Sequence, residues 1–302
     1  MTTAASTLTL KTVLGGYAHC AALRDGSVRV PGVELEFVPV ESIVPLFRRM
    51  LRNLEYEVSE MAVVAYFVAR QYGLPLTAIP VFPLVSVQDG GLINYNTKVG
   101  IRTPKDLEGK KVGVRGYTVT PGVWARGYLA EQGVDLTRVT WLLGDDEHVQ
   151  AYHADAPPNL DYQPGADLEK MLAAGEIAAG IMVGGRDNPD IQPLFPDARA
   201  NGIATFKKTN VYRLGHLVLV RDDVLAAKPS LTRDLFDAFK AAKAAWLAKL
   251  GSEAPKERYD DPLLIGLSAA RPSLEALIRY SVDQGVLKRP LDLDALFPGH
   301  LD

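Results

Sequence analysis

Between residues 110 and 127 the chain reads KKVGVRGYTVTPGVWARG, a stretch that few folds can accommodate. A short β-prone run ending at Arg115, a turn permitted by Gly116, an N-cap at Thr120 and Pro121 at the first helical position spell strand, tight turn and helix start. A helix beginning at Pro121 aims its unpaired amides and positive dipole end at whatever lies beside Thr118 and Thr120. Arg115 can add a bidentate fork at the same place. The junction therefore predicts a small organic acid as ligand.

The same alternation runs along the rest of the chain. Apolar or alternating β-prone runs at 8–14, 33–40, 76–82, 112–115, 139–143, 177–183 and 216–221 are interleaved with helical periodicity at 43–53, 61–72, 121–132, 167–174, 231–250 and 273–284. Gly73, Gly133 and Gly285 supply left-handed stops for three of those helices. Strands alternating with helices predict an α/β protein with parallel crossovers. The glycine-bearing segment 90–103 is read as a crossover into a second lobe, with a return near 205–215. The expected division is 1–92 and 211–302 in one lobe and 93–210 in the other, with a ligand cleft between them.

Composition excludes several function classes. A charged fraction of 23 % and a formal net charge of −3 lack the basic excess of a nucleic-acid binder, so no nucleic-acid partner is expected. Cys20 is the only cysteine, which rules out an intrachain disulfide and a multi-cysteine metal site. The N-terminus lacks the pattern of a secretory signal and no run reaches 18 apolar residues, so a cytoplasmic location without a membrane partner is expected. No GxGxxG follows a strand, and neither GxxxxGK[ST] nor GxSxG occurs, leaving nucleotide and serine-hydrolase chemistry without local support. The cluster Asp145, Asp146, Glu147, His148, His153 and Asp155 has its histidines five apart, which fits no zinc spacing. It reads as a solvated acidic loop, and no metal is expected.

Candidate site residues follow from position. Ser59 reads as the cap of a second helix whose first turn contains Glu60, which would give two helix N-termini and suit a ligand with two anionic groups. Arg115 ends a strand and Arg126 lies near the second turn of the next helix. Arg186 follows an apolar strand through Gly184 and Gly185, where the backbone can approach a ligand closely. His216 opens the strand HLVLV beside the return crossover, where an imidazole can serve as a proton donor. His19 follows Gly15, Gly16 and Tyr17 in the loop after the first strand.

The run GKKVGVRGYTVTPGVWARGYL, together with YEVSEMAVVAYFVAR, DLEKMLAAGEIAAGIM, LFPDA and the strand led by His216, resembles the 4,5-dihydroxyphthalate decarboxylase family over most of the chain. It departs from the family pattern at residues 184–189, at Gly215 and at the pair His19 and Cys20. The resemblance implies a periplasmic-binding-protein-like fold of the two-lobed type II. It also implies cofactor-free decarboxylation of a small aromatic carboxylate by ring protonation. His216 would donate the proton, and Arg115 with Thr118 and Thr120 would hold the carboxylate. Glu60 and Ser59 would meet the phenols, and Tyr117 would pack on or bond to the ring. Arg126, Arg186 and His19 complete the expected substrate contacts. The parent fold serves mostly solute binding, so two readings stay open: a binding or sensory protein without chemistry, and another enzyme of that fold such as a chorismate dehydratase. The predicted helix over 231–250 offers a surface for a homo-oligomer.

Overall fold

The structure is a computed structural model and describes residues 7–185 and 187–302. Its strands, in chain order, are β1 (Leu8–Val13), β2 (Val33–Phe37), β3 (Val58–Ala62), β4 (Leu76–Ser86), β5 (Ile93–Asn96), β6 (Lys111–Val114), β7 (Thr140–Leu143), β8 (Leu160–Tyr162), β9 (Ala179–Ile181), β10 (Ile191–Pro193), β11 (Arg213–Arg221) and β12 (Leu264–Ile265). They form two six-stranded sheets, ordered β12-β4-β11-β3-β1-β2 and β10-β5-β9-β6-β7-β8.

The chain divides into two compact units. The first comprises Met1–Ser86, Leu214–Arg271 and Leu291–Asp302; the second comprises Val87–Arg213 and Pro272–Pro290. The chain passes from the first unit to the second after Ser86 and back after Arg213. The assignment of everything after residue 210 to the first lobe is corrected, because Leu267–Asp283 is one helix that runs through Pro272 and carries the chain back into the second unit.

In the first unit β1 pairs in parallel with β2 and β3, while β3 pairs antiparallel with β11. A core of Leu10, Val58, Ile79, Val218 and Val220 packs under Leu235, Phe236 and Phe239 of the helix Leu231–Leu250. All five residues of β3, VSEMA, are buried. A strand covered on both faces normally reads as a continuous apolar run, so Ser59 and Glu60 at its centre break the expected pattern. In the second unit β6 pairs in parallel with β7 and β9, and β7 with β8. The helix Thr120–Glu131 follows β6, as the sequence predicts, but it starts one residue early with Val119 at the cap position. Among the described residues no helix is long and apolar enough to cross a membrane.

Candidate active site

The polar interruption of β3 is matched from the neighbouring strand. The antiparallel register sets His216 opposite Ala62 and Val218 opposite Glu60, so Glu60 and His216 are diagonal neighbours on one face of the sheet. His216 Nδ1 lies 2.5 Å from Glu60 Oε1. The Tyr17 hydroxyl donates to the same oxygen at 2.6 Å, and the Gly15 amide donates to Oε2 at 2.6 Å. Glu60 is wholly buried, whereas the His216 side chain keeps 16 % of its surface exposed. A carboxylate with its oxygens claimed from within the fold does not reach phenol groups of a ligand. Glu60 instead fixes the tautomer and orientation of the partly exposed imidazole, and this replaces the direct phenol contact expected of it.

The surroundings reinforce that geometry. Phe47 stands edge-on to the His216 ring with centroids 5.1 Å apart. Burial and the adjacent Glu60 push the Tyr17 phenol far above its usual range, so Tyr17 remains a hydrogen-bond donor. A Cβ on Gly15 would lie 2.6 Å from the Tyr17 ring and 3.1 Å from Glu60 Oε2, so only glycine lets the loop close this tightly. Arg24 donates to the carbonyls of Leu14 and Gly15 and holds the loop from behind. His19 stacks on Tyr17 at 5.0 Å and is itself buried, one ring nitrogen bonded to the Pro83 carbonyl and Nε2 without a partner. Burial lowers its pKa. Ser59 caps no helix: it lies within β3, its hydroxyl donates to the Glu60 carbonyl, and the helix Val63–Gln71 begins four residues later.

The second unit corrects the anion site expected around Thr118 and Thr120. The Tyr117 and Thr118 amides and the Thr118 hydroxyl all donate to the chain's own Glu147 carboxylate, with amide distances of 2.5 and 3.1 Å. The anion that completes this turn is internal. Two helix N-termini facing a dianion are therefore not what the chain builds, and the acidic run 145–155 is not uniformly solvated, since Glu147 and His148 are buried. Thr120 is buried in the first turn of its helix. Arg126 is fully buried, donating to the Tyr117 carbonyl at 2.6 Å and to Gln284 Oε1 at 2.9 Å, with its guanidinium 3.8 Å from the Tyr117 ring centre. Burial lowers its pKa. Tyr117, its hydroxyl on the Gln284 carbonyl at 3.0 Å, is core rather than ligand surface. Arg126, Tyr117 and Thr118 thus brace the turn.

Arg115 lines a groove of about 300 Å³ at the carboxyl ends of β6, β7 and β9, with Asp145, Glu169 and Met182 among its other walls. Ligands of open α/β sheets take that position. Arg186 lies outside the described residues. Among the described residues no group of three or more His, Cys, Asp or Glu side chains is placed to hold a metal ion. Gly15 and Tyr17 carry no signal in the sequence beyond the Gly-Gly-Tyr loop itself, and the acidic neighbours of Glu147 disguise it as a solvated residue.

Two α/β units, each on a mixed sheet, with a carboxylate-held imidazole in one of them, define a chain of the periplasmic-binding-protein-like fold. Solved structures share it: the periplasmic aliphatic sulphonate binding protein SsuA from Escherichia coli (TM-score 0.60, 13 % identity, 98 % of this chain and 94 % of that one) and the desulfurization enzyme DSZB (TM-score 0.54, 15 % identity, 96 % of each). No family model matches the sequence. Among curated proteins, a 4,5-dihydroxyphthalate decarboxylase from Comamonas testosteroni is 28 % identical over 258 residues, covering 81 % of this chain and 78 % of its own. One from Pseudomonas putida is 31 % identical over 182 residues, covering 58 % of this chain and 70 % of its own. The chain belongs to the 4,5-dihydroxyphthalate decarboxylase family.

Proposed function

We propose that this protein is a carboxy-lyase that removes CO2 without oxidation from a hydroxylated aromatic acid such as 4,5-dihydroxyphthalate, giving protocatechuate. The observation that carries the reading is the Glu60–His216 pair, a wholly buried carboxylate bonded to a partly exposed imidazole, in a chain whose relatives bear that name.

Direct loss of CO2 from a benzene ring would leave its electron pair in an aryl orbital with no delocalisation. A phenol para to the carboxylate-bearing carbon opens another route. That carbon takes a proton, the phenol oxygen becomes a carbonyl as its proton leaves, and the ring becomes a dienone. The C–C bond to the carboxylate then breaks and CO2 departs, while the electron pair restores the aromatic ring and returns the carbonyl oxygen to a phenolate, which takes a proton from solvent to give the phenol. His216 would deliver the proton from Nε2, since Nδ1 is held by Glu60. Glu60, Tyr17 and Gly15 keep the imidazole in place through the transfer. In the second unit, Arg115 is a candidate cation for an aromatic carboxylate.

The test is incubation with 4,5-dihydroxyphthalate while CO2 and protocatechuate are followed by chromatography. Stoichiometric product is expected, and His216→Ala should lower kcat about 100- to 10,000-fold while changing substrate affinity little. Substrate recovered unchanged by wild type would overturn the reading and favour a binding protein. Equal losses of rate and affinity in His216→Ala would remove His216 from proton transfer.

A further inference from the structure

Among the described residues Met182 is the one methionine more than half exposed, and its backbone is strained. It follows β9 with φ of 57°, the left-handed region, where a side chain with a Cβ is penalised and glycine or asparagine is not. The chain has glycine at 180, 184 and 185 but not here. Ile181 and Val183 on either side are buried, while Met182 is 57 % exposed. Its amide is fixed to the Leu92 carbonyl at 2.8 Å, so the conformation is imposed by the sheet edge. Strain of this kind persists where surrounding structure dictates it, and it clusters at ligand contacts.

The thioether lines the same groove as Arg115, at the carboxyl ends of the parallel strands. The groove also carries Asp145 and Glu169, the latter accepting from the Gly184 amide at 3.2 Å. A guanidinium, carboxylate acceptors and one apolar, polarisable side chain match a planar ring that bears both a carboxylate and hydroxyl donors. Resting on the decarboxylase reading above, we propose that Met182 is the residue by which this groove selects an aromatic ring, its sulfur and methyl group packing on the ring while Arg115 takes the carboxylate.

The experiment compares wild type, Met182→Gly and Met182→Leu. Turnover and equilibrium dialysis are measured with 4,5-dihydroxyphthalate, and inhibition is measured with phthalate and with its ring-saturated analogue, cis-cyclohexane-1,2-dicarboxylate. Met182→Gly should raise KM and the dissociation constant about threefold to tenfold and narrow the preference for phthalate over the saturated acid, with kcat little changed. Met182→Leu should keep most of the affinity. Because glycine relieves the left-handed backbone, Met182→Gly should unfold no earlier than wild type on heating, which separates a ligand contact from a structural role. If wild type turns over and Met182→Gly shows the same KM and the same ring preference, the assignment of Met182 fails and the decarboxylase reading stands. If wild type binds the acid without turnover, the decarboxylase reading fails and dialysis alone decides Met182. If wild type neither binds nor converts it, both fall.

Discussion

Two buried glutamates show how one residue type does two jobs. Glu60 receives the Gly15 amide, the Tyr17 hydroxyl and the His216 ring, which is partly exposed. Glu147 receives two amides and a hydroxyl of the turn 117–118, all of them buried. The first orients an imidazole and the second completes a backbone turn, so on the proposed reading their substitutions should separate in assay. Glu60→Gln puts an amide N–H against donors and should lower kcat at least about tenfold, with a change in the pH–rate profile and a smaller change in KM. Rates unchanged across pH would reject its positioning role. Glu147→Gln removes half the acceptor capacity from a buried turn and should cost about 2–4 kcal/mol of stability. Urea denaturation would read that loss, while kcat per folded molecule should stay near wild type; a stability loss below about 0.5 kcal/mol would show that the turn stands without the carboxylate.

At the scale of elements, the helix Ala198–Thr209 illustrates a position that only the fold explains. A Cβ on Gly202 would lie 1.2 Å from the Val87 carbonyl oxygen, so the helix seats its backbone directly on the segment that enters the second unit. Gly202→Ala should therefore displace backbone rather than a pliable side chain. Its expected cost is about 3 kcal/mol or more, a fall in melting temperature of roughly 6–12 °C that calorimetry would detect. A melting temperature within a degree of wild type would show that the contact gives way cheaply.

That helix was also illegible in the sequence, because ARANGIATFKKT has little apolar periodicity and a glycine at its centre. Where period and stop signals agreed, reading succeeded: 43–53 and 231–250 are helices with those bounds, and Gly73, Gly133 and Gly285 adopt the left-handed conformation. The three- and four-residue strands β5, β8 and β10 went unread because so short a run carries no period. Ser59 misled for a physical reason: Ser followed by Glu is also what an N-cap looks like, and only the pairing of β3 with β1 and β11 shows it to be mid-strand. His216 and Glu60 were legible as polar residues in apolar runs. Their union was not, since it depends on the register between strands more than 150 residues apart.

For the whole molecule, the buried histidine beside this site makes stability fall as pH drops below 6.5. His19 has its pKa lowered from 6.5 chiefly by burial, opposed in part by the Pro83 carbonyl, so below pH 6.5 the unfolded chain binds a proton that the folded chain resists. More protons on the unfolded state means that stability rises with pH; equivalently, it is lost as pH falls through 6.5 toward the lowered folded value. The surface aspartates Asp106, Asp135 and Asp161, held below 3.8 by hydrogen bonds from backbone and side chains, push in the same direction but act only at lower pH. The two sources are thus separated by window. His19→Phe keeps an aromatic ring between Tyr17 and Trp246 and removes the titration, at the cost of the bond to Pro83. Wild type should lose stability between pH 6.5 and 5 with a slope attributable to His19 of at most about 1.4 kcal/mol per pH unit. In His19→Phe that part of the slope should vanish while the steeper loss near pH 4 remains. Urea midpoints measured across pH 4 to 8 for both proteins decide it: parallel curves above pH 5 would mean that His19 is protonated as readily folded as unfolded.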